Sequence, residues 1–145
     1  MARGEDCQLE CRAGYGIVVL IALPPFPFYH GIQRQRRPLP QGLKIHFREV
    51  PDEGELRHYH TDGATVQRDD QGRETWRTCS DTGYIMHVSG LGATVEAARD
   101  QTYRRINNVV IPKMFYRNDI GVRFLERDRG LLEKWGYLLA GSERI

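Results

Sequence analysis

Two tight groups stand out among the arginines of this chain, and arginine is the side chain whose planar fork matches phosphate and carboxylate. One group is Arg34, Arg36 and Arg37, just after Phe26, Phe28 and Tyr29. Aromatic rings beside three guanidinium groups could embrace a phosphorylated ligand. The plainer reading is an aromatic lid over the core with a solvated basic tip, since charge runs are usually solvated. The second group is Arg117, Asp119 and Arg123, set around Asn118 and Gly121. Its arginines could face an anion, or Asp119 could cap a short turn in a purely structural role. His58 and His60 lie two apart in a stretch that reads as a strand, so their imidazoles share a face that Asp62 extends. Two imidazoles and a carboxylate could bind a metal, but three polar residues on the solvent side of a strand is the plainer reading. No metal ligands are assigned.

Other catalytic signatures are missing. There is no G-x-S-x-G elbow, and Ser89-Gly90 lacks the flanking pattern. The chain has no G-x-x-x-x-G-K-[ST] loop, and Gly90-Leu-Gly92 is half of a dinucleotide fingerprint. Cys7 and Cys11 are spaced C-x3-C with no second pair to complete a zinc site, and Cys79 reads as a small core residue. No catalytic residue is assigned on these grounds.

The whole chain sets the frame for these groups. Its 145 residues predict one domain with a real core. A net charge of +2 is too small to imply nucleic acid by itself. The odd count of three cysteines suggests no disulfide framework and fits a reducing cytoplasm. The longest apolar run, 16–23, is far short of the roughly 20 residues that span a bilayer. The charged N-terminus has no signal-peptide pattern. Neither a membrane nor a nucleic acid is an expected partner, and the expected location is cytoplasmic.

The elements follow from periodicity. Residues 15–23 form an apolar, β-branched run that predicts a strand buried on both faces, stopped by Pro24, Pro25 and Pro27. The long loop to Gly42 is of a length that is either functional or disordered. Leu43, Ile45 and Phe47 alternate with Lys44, His46 and Arg48, a half-buried strand. Residues 51–54 read as a turn, and 56–61, 64–68 and 74–79 as short strands of an antiparallel meander. Residues 84–88 predict a further strand. Gly90 and Gly92 are expected to shape the turn after it. Thr94 is a good N-cap and Glu96 suits the first turn of a helix to about residue 109. Val95, Ala98, Thr102 and Ile106 form its apolar stripe. A second helix is expected over about 128–139, with Leu131, Leu132, Trp135 and Leu138 on one side, weakened by Gly130 and Gly136.

Gly83-Tyr-Ile-Met-His-Val-Ser-Gly-Leu-Gly-Ala-Thr-Val-Glu-Ala-Ala-Arg, then Tyr103, then Met114-Phe-Tyr-Arg-Asn-Asp-Ile-Gly121, resembles the C-terminal domain of phosphoribosylamine–glycine ligase, an ATP-grasp enzyme of purine biosynthesis. The family pattern is a strand ending in small-Leu-Gly, a helix opening Thr-x-x-Glu-Ala and a terminal Tyr-Arg-x-Asp-Ile-Gly. His58-Tyr-His-Thr-Asp-Gly-Ala64 is loosely similar to a Phe-His-Ala-Gly-Thr strand of the family. Where the family carries Gly-Tyr-Pro-Gly after its first strand, this chain has Leu23-Pro-Pro-Phe-Pro-Phe.

The resemblance implies an α+β fold: a mainly antiparallel β-sheet or barrel-like unit with one or two packed helices, of the rudimentary single-hybrid kind related to the C-terminal part of biotin carboxylase. It implies a lead-in segment at 1–14 following an ATP-grasp body, one domain over 15–139 and a tail at 140–145. The domain would wall the active site of that body, which binds ATP and magnesium and activates glycine as an acyl phosphate for attack by phosphoribosylamine. The fragment itself would bind no cofactor and be inactive alone. Its partners would be the N-terminal and ATP-grasp domains of the same polypeptide and a phosphorylated small-molecule substrate. Arg34, Arg36, Arg37, Arg117, Asp119 and Arg123 are then the expected residues facing substrate or domain interface. A stand-alone nucleotide- or RNA-binding module using the aromatic and arginine loop is the alternative, and a purely structural interaction domain the third.

Overall fold

The computed structural model describes residues 13–27, 41–68 and 70–138. It contains two antiparallel sheets and one long helix. The first sheet has the order β1 (Tyr15–Ala22), β6 (Tyr84–Gly92), β3 (Tyr59–Thr61). The second has the order β4 (Ala64–Arg68), β5 (Glu74–Thr78), β2 (Lys44–Phe47), β7 (Val109–Val110). Helix α2 (Val95–Asn108) crosses the inner face of the first sheet against β6 and β1, and the short helix α1 (Glu53–Leu56) precedes β3. The α+β, mainly antiparallel expectation holds. The single meander does not: within 56–79 only β4 and β5 pair as a hairpin, while β3 leaves them to pair with β6.

The capped helix forms as its sequence predicts. The Thr94 hydroxyl accepts from the Ala97 amide at 3.1 Å, and Val95, Ala98, Thr102 and Ile106 are all buried. Gly90 and Gly92 have another role than the expected one. They are not turn residues but the last part of β6, where the strand runs under the helix. A Cβ on Gly90 would collide with the Ala98 carbonyl and the Thr102 hydroxyl, and one on Gly92 would sit 2.6 Å from the Ala98 amide. The missing side chains let helix and strand approach closely. Thr102 seals this seam, donating to the Ala98 carbonyl at 2.8 Å and lying 3.2 Å from the Ile17 carbonyl of β1.

Three other expectations are corrected. β1 is not buried on both faces: it alternates over its first half, with Val18 53% exposed, and becomes continuously buried only from Ile21 to Leu23, where a register shift interrupts its pairing with β6. Residues 53–56 are helical because the Asp52 carboxylate caps the Glu55 amide at 2.8 Å, so β3 begins only at Tyr59. The expected helix over 128–139 forms but is shorter, α3 (Arg129–Lys134), and it follows a π-helical segment, Phe124–Asp128. Gly136, at φ +77°, ends it by the left-handed route that glycine takes most readily. Gly130 sits within α3 in open space.

The core lies between α2 and the first sheet. Ile21, Ile85, Met86, Val88 and Ile106 are essentially inaccessible, each contributing roughly 1.5–3 kcal/mol by burial. An edge-on aromatic group joins the sheets: Phe47 of β2 stands 5.3 Å from Tyr59 of β3 and 5.7 Å from Trp76 of β5. Phe26 packs on Tyr84 at 5.7 Å and Phe115 at 6.4 Å, consistent with an aromatic lid at that point. Replacing Gly90 by Ala is expected to cost about 1–3 kcal/mol through overpacking of the seam. Gly130→Ala, in an exposed helix interior, should gain up to about 1 kcal/mol. Urea unfolding of the two variants beside the parent chain measures both.

Candidate functional site

Arg105 is the charged residue around which the most polar contacts gather. It projects from α2 at 5% exposure, one position before Ile106 of the apolar stripe. Its Nε and Nη2 donate to the two carboxylate oxygens of Glu55 at 2.7 and 3.0 Å, and its Nη1 donates to the Ser89 carbonyl at 2.8 Å. This fork is a fixed geometry that lysine could not reproduce. Arg105 thereby ties α1 to α2 and to β6. The Glu55 carboxyl is held below its ordinary value of 4.5, first by the hydrogen bond from Arg105, with burial opposing.

A groove of about 630 Å³ lies on one side of this ion pair, a volume suited to a small molecule. Arg48, Glu49, Tyr59, Arg104, Asn107 and Asn108 line it together with the pair. Its wall is rigidly held. Asn108 donates to the Glu49 carbonyl and accepts from the Glu49 amide, both at 2.8 Å, while Arg48 Nε donates to the Asn107 carbonyl at 2.9 Å. The Tyr59 hydroxyl donates to the Arg105 carbonyl at 3.2 Å, and burial raises its pKa.

On the other side of Arg105, the outer face of the first sheet carries a histidine cluster. Ser89 Oγ stands 3.2 Å from His58 Nδ1 and 3.0 Å from His60 Nε2. His87 is the cross-strand partner of His60, and its Nε2 is 2.7 Å from the Tyr84 hydroxyl. His58 is held below its ordinary value of 6.5, first by burial and then by the charge of Arg105. The shared face expected for His58 and His60 is real, but its focus is a serine. Among the described residues no group of three His, Cys, Asp or Glu comes together to hold a metal ion.

The arginines singled out from sequence lie elsewhere or outside the described residues. Arg34, Arg36 and Arg37 belong to the latter. Arg117 donates to both oxygens of Asp119 at 2.9 and 2.7 Å, an exposed bidentate pair in which each group stabilises the charge of the other. Arg123 pairs with Asp128 at 2.9 Å. The loop carrying Arg117 and Asp119 is clamped to α2. The Tyr103 hydroxyl donates to the Arg117 carbonyl at 2.7 Å, and Arg99 donates to the carbonyls of Asn118 at 2.7 Å and Ile120 at 3.2 Å. Cys79 is exposed, contrary to the core position expected for it, because β5 ends at Thr78.

Sequence reasoning missed Arg105, Glu55 and Ser89. One signal was available: Arg105 sits on the helix three residues after Thr102, beside the stripe, where a charged side chain needs a partner. Its partner lies 50 positions away, and no local pattern reports it.

Two acid-linked losses of stability follow. A neutral His58 contributes stability present above about pH 6.5 and lost as pH falls below it. Glu55 contributes stability present above about pH 4.5 and lost as pH falls through its lowered value. Glu55→Gln should remove the lower component and deepen the upper one, because the Glu55 charge raises the His58 pKa, and should cost about 1–3 kcal/mol at pH 7 by leaving the Arg105 charge uncompensated. Denaturant melts between pH 3 and 8 check both.

Comparison with known proteins places this geometry in a family. The family model described as phosphoribosylglycinamide synthetase, C domain, matches residues 39–123, more than half of the chain. Phosphoribosylamine–glycine ligases from two strains of Leptospira interrogans are each 26% identical over 122 residues, covering 83% of this chain and 24% of the relative. The crystal structure of phosphoribosylamine–glycine ligase from Thermotoga maritima shares the fold, with a TM-score of 0.55 and 24% identity over 81% of this chain and 24% of that one. The chain thus spans about a quarter of the length of these relatives. It belongs to the phosphoribosylglycinamide synthetase C-domain family.

Proposed function

We propose that this domain serves an ATP-dependent phosphoribosylamine–glycine ligase, walling an active site whose ATP-grasp body belongs to the same polypeptide. The observation that carries the reading is the continuous family match over 39–123. That span includes β6, α2 and the clamped loop ending at Gly121. On this reading the body supplies ATP and magnesium binding and forms the acyl phosphate, and the domain contributes surface rather than a nucleotide site. The substrate is a phosphorylated small molecule, and the enzyme works in the cytoplasm. No helix among the described residues is long and apolar enough to cross a membrane.

Arg117, Asp119 and Arg123, with Arg34, Arg36 and Arg37, are the proposed surface facing substrate or the neighbouring domain. The Arg117–Asp119 pair presents its charges on a loop that α2 holds in place, so it can meet a partner without being ordered first.

The isolated chain, given ATP, magnesium, glycine and phosphoribosylamine, should release no phosphate above background. A polypeptide joining it to its ATP-grasp body should turn over. Phosphate release by the isolated chain would count against the reading. In the joined enzyme, Arg117→Ala should raise KM for the phosphorylated substrate several-fold if that loop faces it, and leave KM unchanged if it does not.

A further inference from the structure

The arrangement of His58, Ser89 and His60 poses a proton-counting problem. One hydroxyl lies within hydrogen-bond distance of two imidazoles, and it has a single proton to give. With both rings neutral, Ser89 donates to one and must accept from the other. The two histidines therefore take linked tautomers, and a proton arriving at one end can leave at the other without any heavy atom moving far. The two ends differ. His60 is exposed to solvent. His58 is half-buried beside the Arg105–Glu55 pair, where burial first and the Arg105 charge second lower its pKa. Arg57 acts on His58 from the same connection, His87 and Tyr84 stand on β6, and Val18 of β1 is the Cα partner of Ser89.

We propose that His58, Ser89 and His60 form a proton relay, with His58 accepting a proton from an amine nucleophile at this sheet face and His60 returning it to solvent. The identity of the amine rests on the ligase reading above; the relay itself does not. In the resting state His58 carries its proton on Nδ1 and donates to Ser89 Oγ, which donates to His60 Nε2. The amine nitrogen forms its bond to the acyl carbon of an acyl phosphate, the C–O bond breaks, and phosphate leaves with the electron pair. The surplus proton on nitrogen moves to His58 Nε2. The Nδ1 proton of His58 passes to Ser89 Oγ as the serine proton passes to His60 Nε2, and His60 releases its Nδ1 proton to water. Exposed Val18 offers an apolar floor beside the cluster.

Imidazole nitrogen NMR on this chain near pH 8 tests the relay directly. His58 is expected protonated at Nδ1 and His60 at Nδ1 with Nε2 accepting. Ser89→Ala should abolish the fixed tautomers of both rings at once, and His60→Gln should raise the titration midpoint of His58. The reverse tautomers, or spectra unchanged by Ser89→Ala, overturn the relay. The catalytic part is read in the joined enzyme. Ser89→Ala and His58→Gln should each lower kcat about 10²-fold or more with KM little changed, the size general base catalysis supplies, and the acid limb of the pH profile should shift. Wild-type kcat in both variants overturns the role in amine transfer. A joined enzyme without any ligase activity instead overturns the family-based reading, and with it the amine assignment, while the tautomers still judge the relay.

Discussion

The closeness of β6 and α2 is the constraint on which the rest depends. Two glycines on the strand and small residues on the helix remove the side-chain layer that usually keeps such elements apart. The Thr102 hydroxyl then reaches from the helix to the backbone of β1, the strand next to β6. Because the helix is seated so low, Arg105 can be both buried and bidentate, and its third nitrogen can reach a strand carbonyl. Raising the helix by one methyl group would loosen that contact together with the core.

This packing also explains why charge is tolerated inside. A buried guanidinium is costly unless its donors are all answered. Here Glu55 accepts from two of its nitrogens, the Ser89 carbonyl and Gln101 accept from the third, and Glu55 stays partly wet, so the acid does not bear a full desolvation cost of its own. The groove and the histidine cluster are therefore not independent features. Both are positioned by one side chain of the helix, one from each side.

Legibility in the sequence varied with how local the cause was. The helix from Thr94 was readable because its cap, its first-turn acid and its stripe all lie within a dozen residues, and each holds. The β4–β5 hairpin was readable for the same reason. Gly90 and Gly92 were recognised as necessary but assigned to a turn, since spacing cannot tell a glycine that bends from one that yields room to a neighbour. Residues 53–56 were misread because an aspartate before a glycine signals both a turn and a helix cap. The histidine face was visible as alternation, but Ser89 lies 29 residues from His60 and depends on how β3 pairs with β6. The strand–helix signature together with Tyr116 to Gly121 identified the family, whereas the arginines nearby said little, because an arginine's partner is set by tertiary structure.

The clamp between α2 and the loop at 117–120 has a mechanical consequence. Arg99 and Tyr103 grip the loop backbone from the middle turns of a helix of 14 residues, about 21 Å long. Arg105 stands two residues beyond Tyr103, gripping α1 and β6. Asn118 is thus tied to the same helix whose Arg105 holds the Ser89 carbonyl beneath the histidines. The loop grip, the glycine seam and the Arg105 fork are carried by one helix, so surfaces that share no contact are held at a fixed spacing.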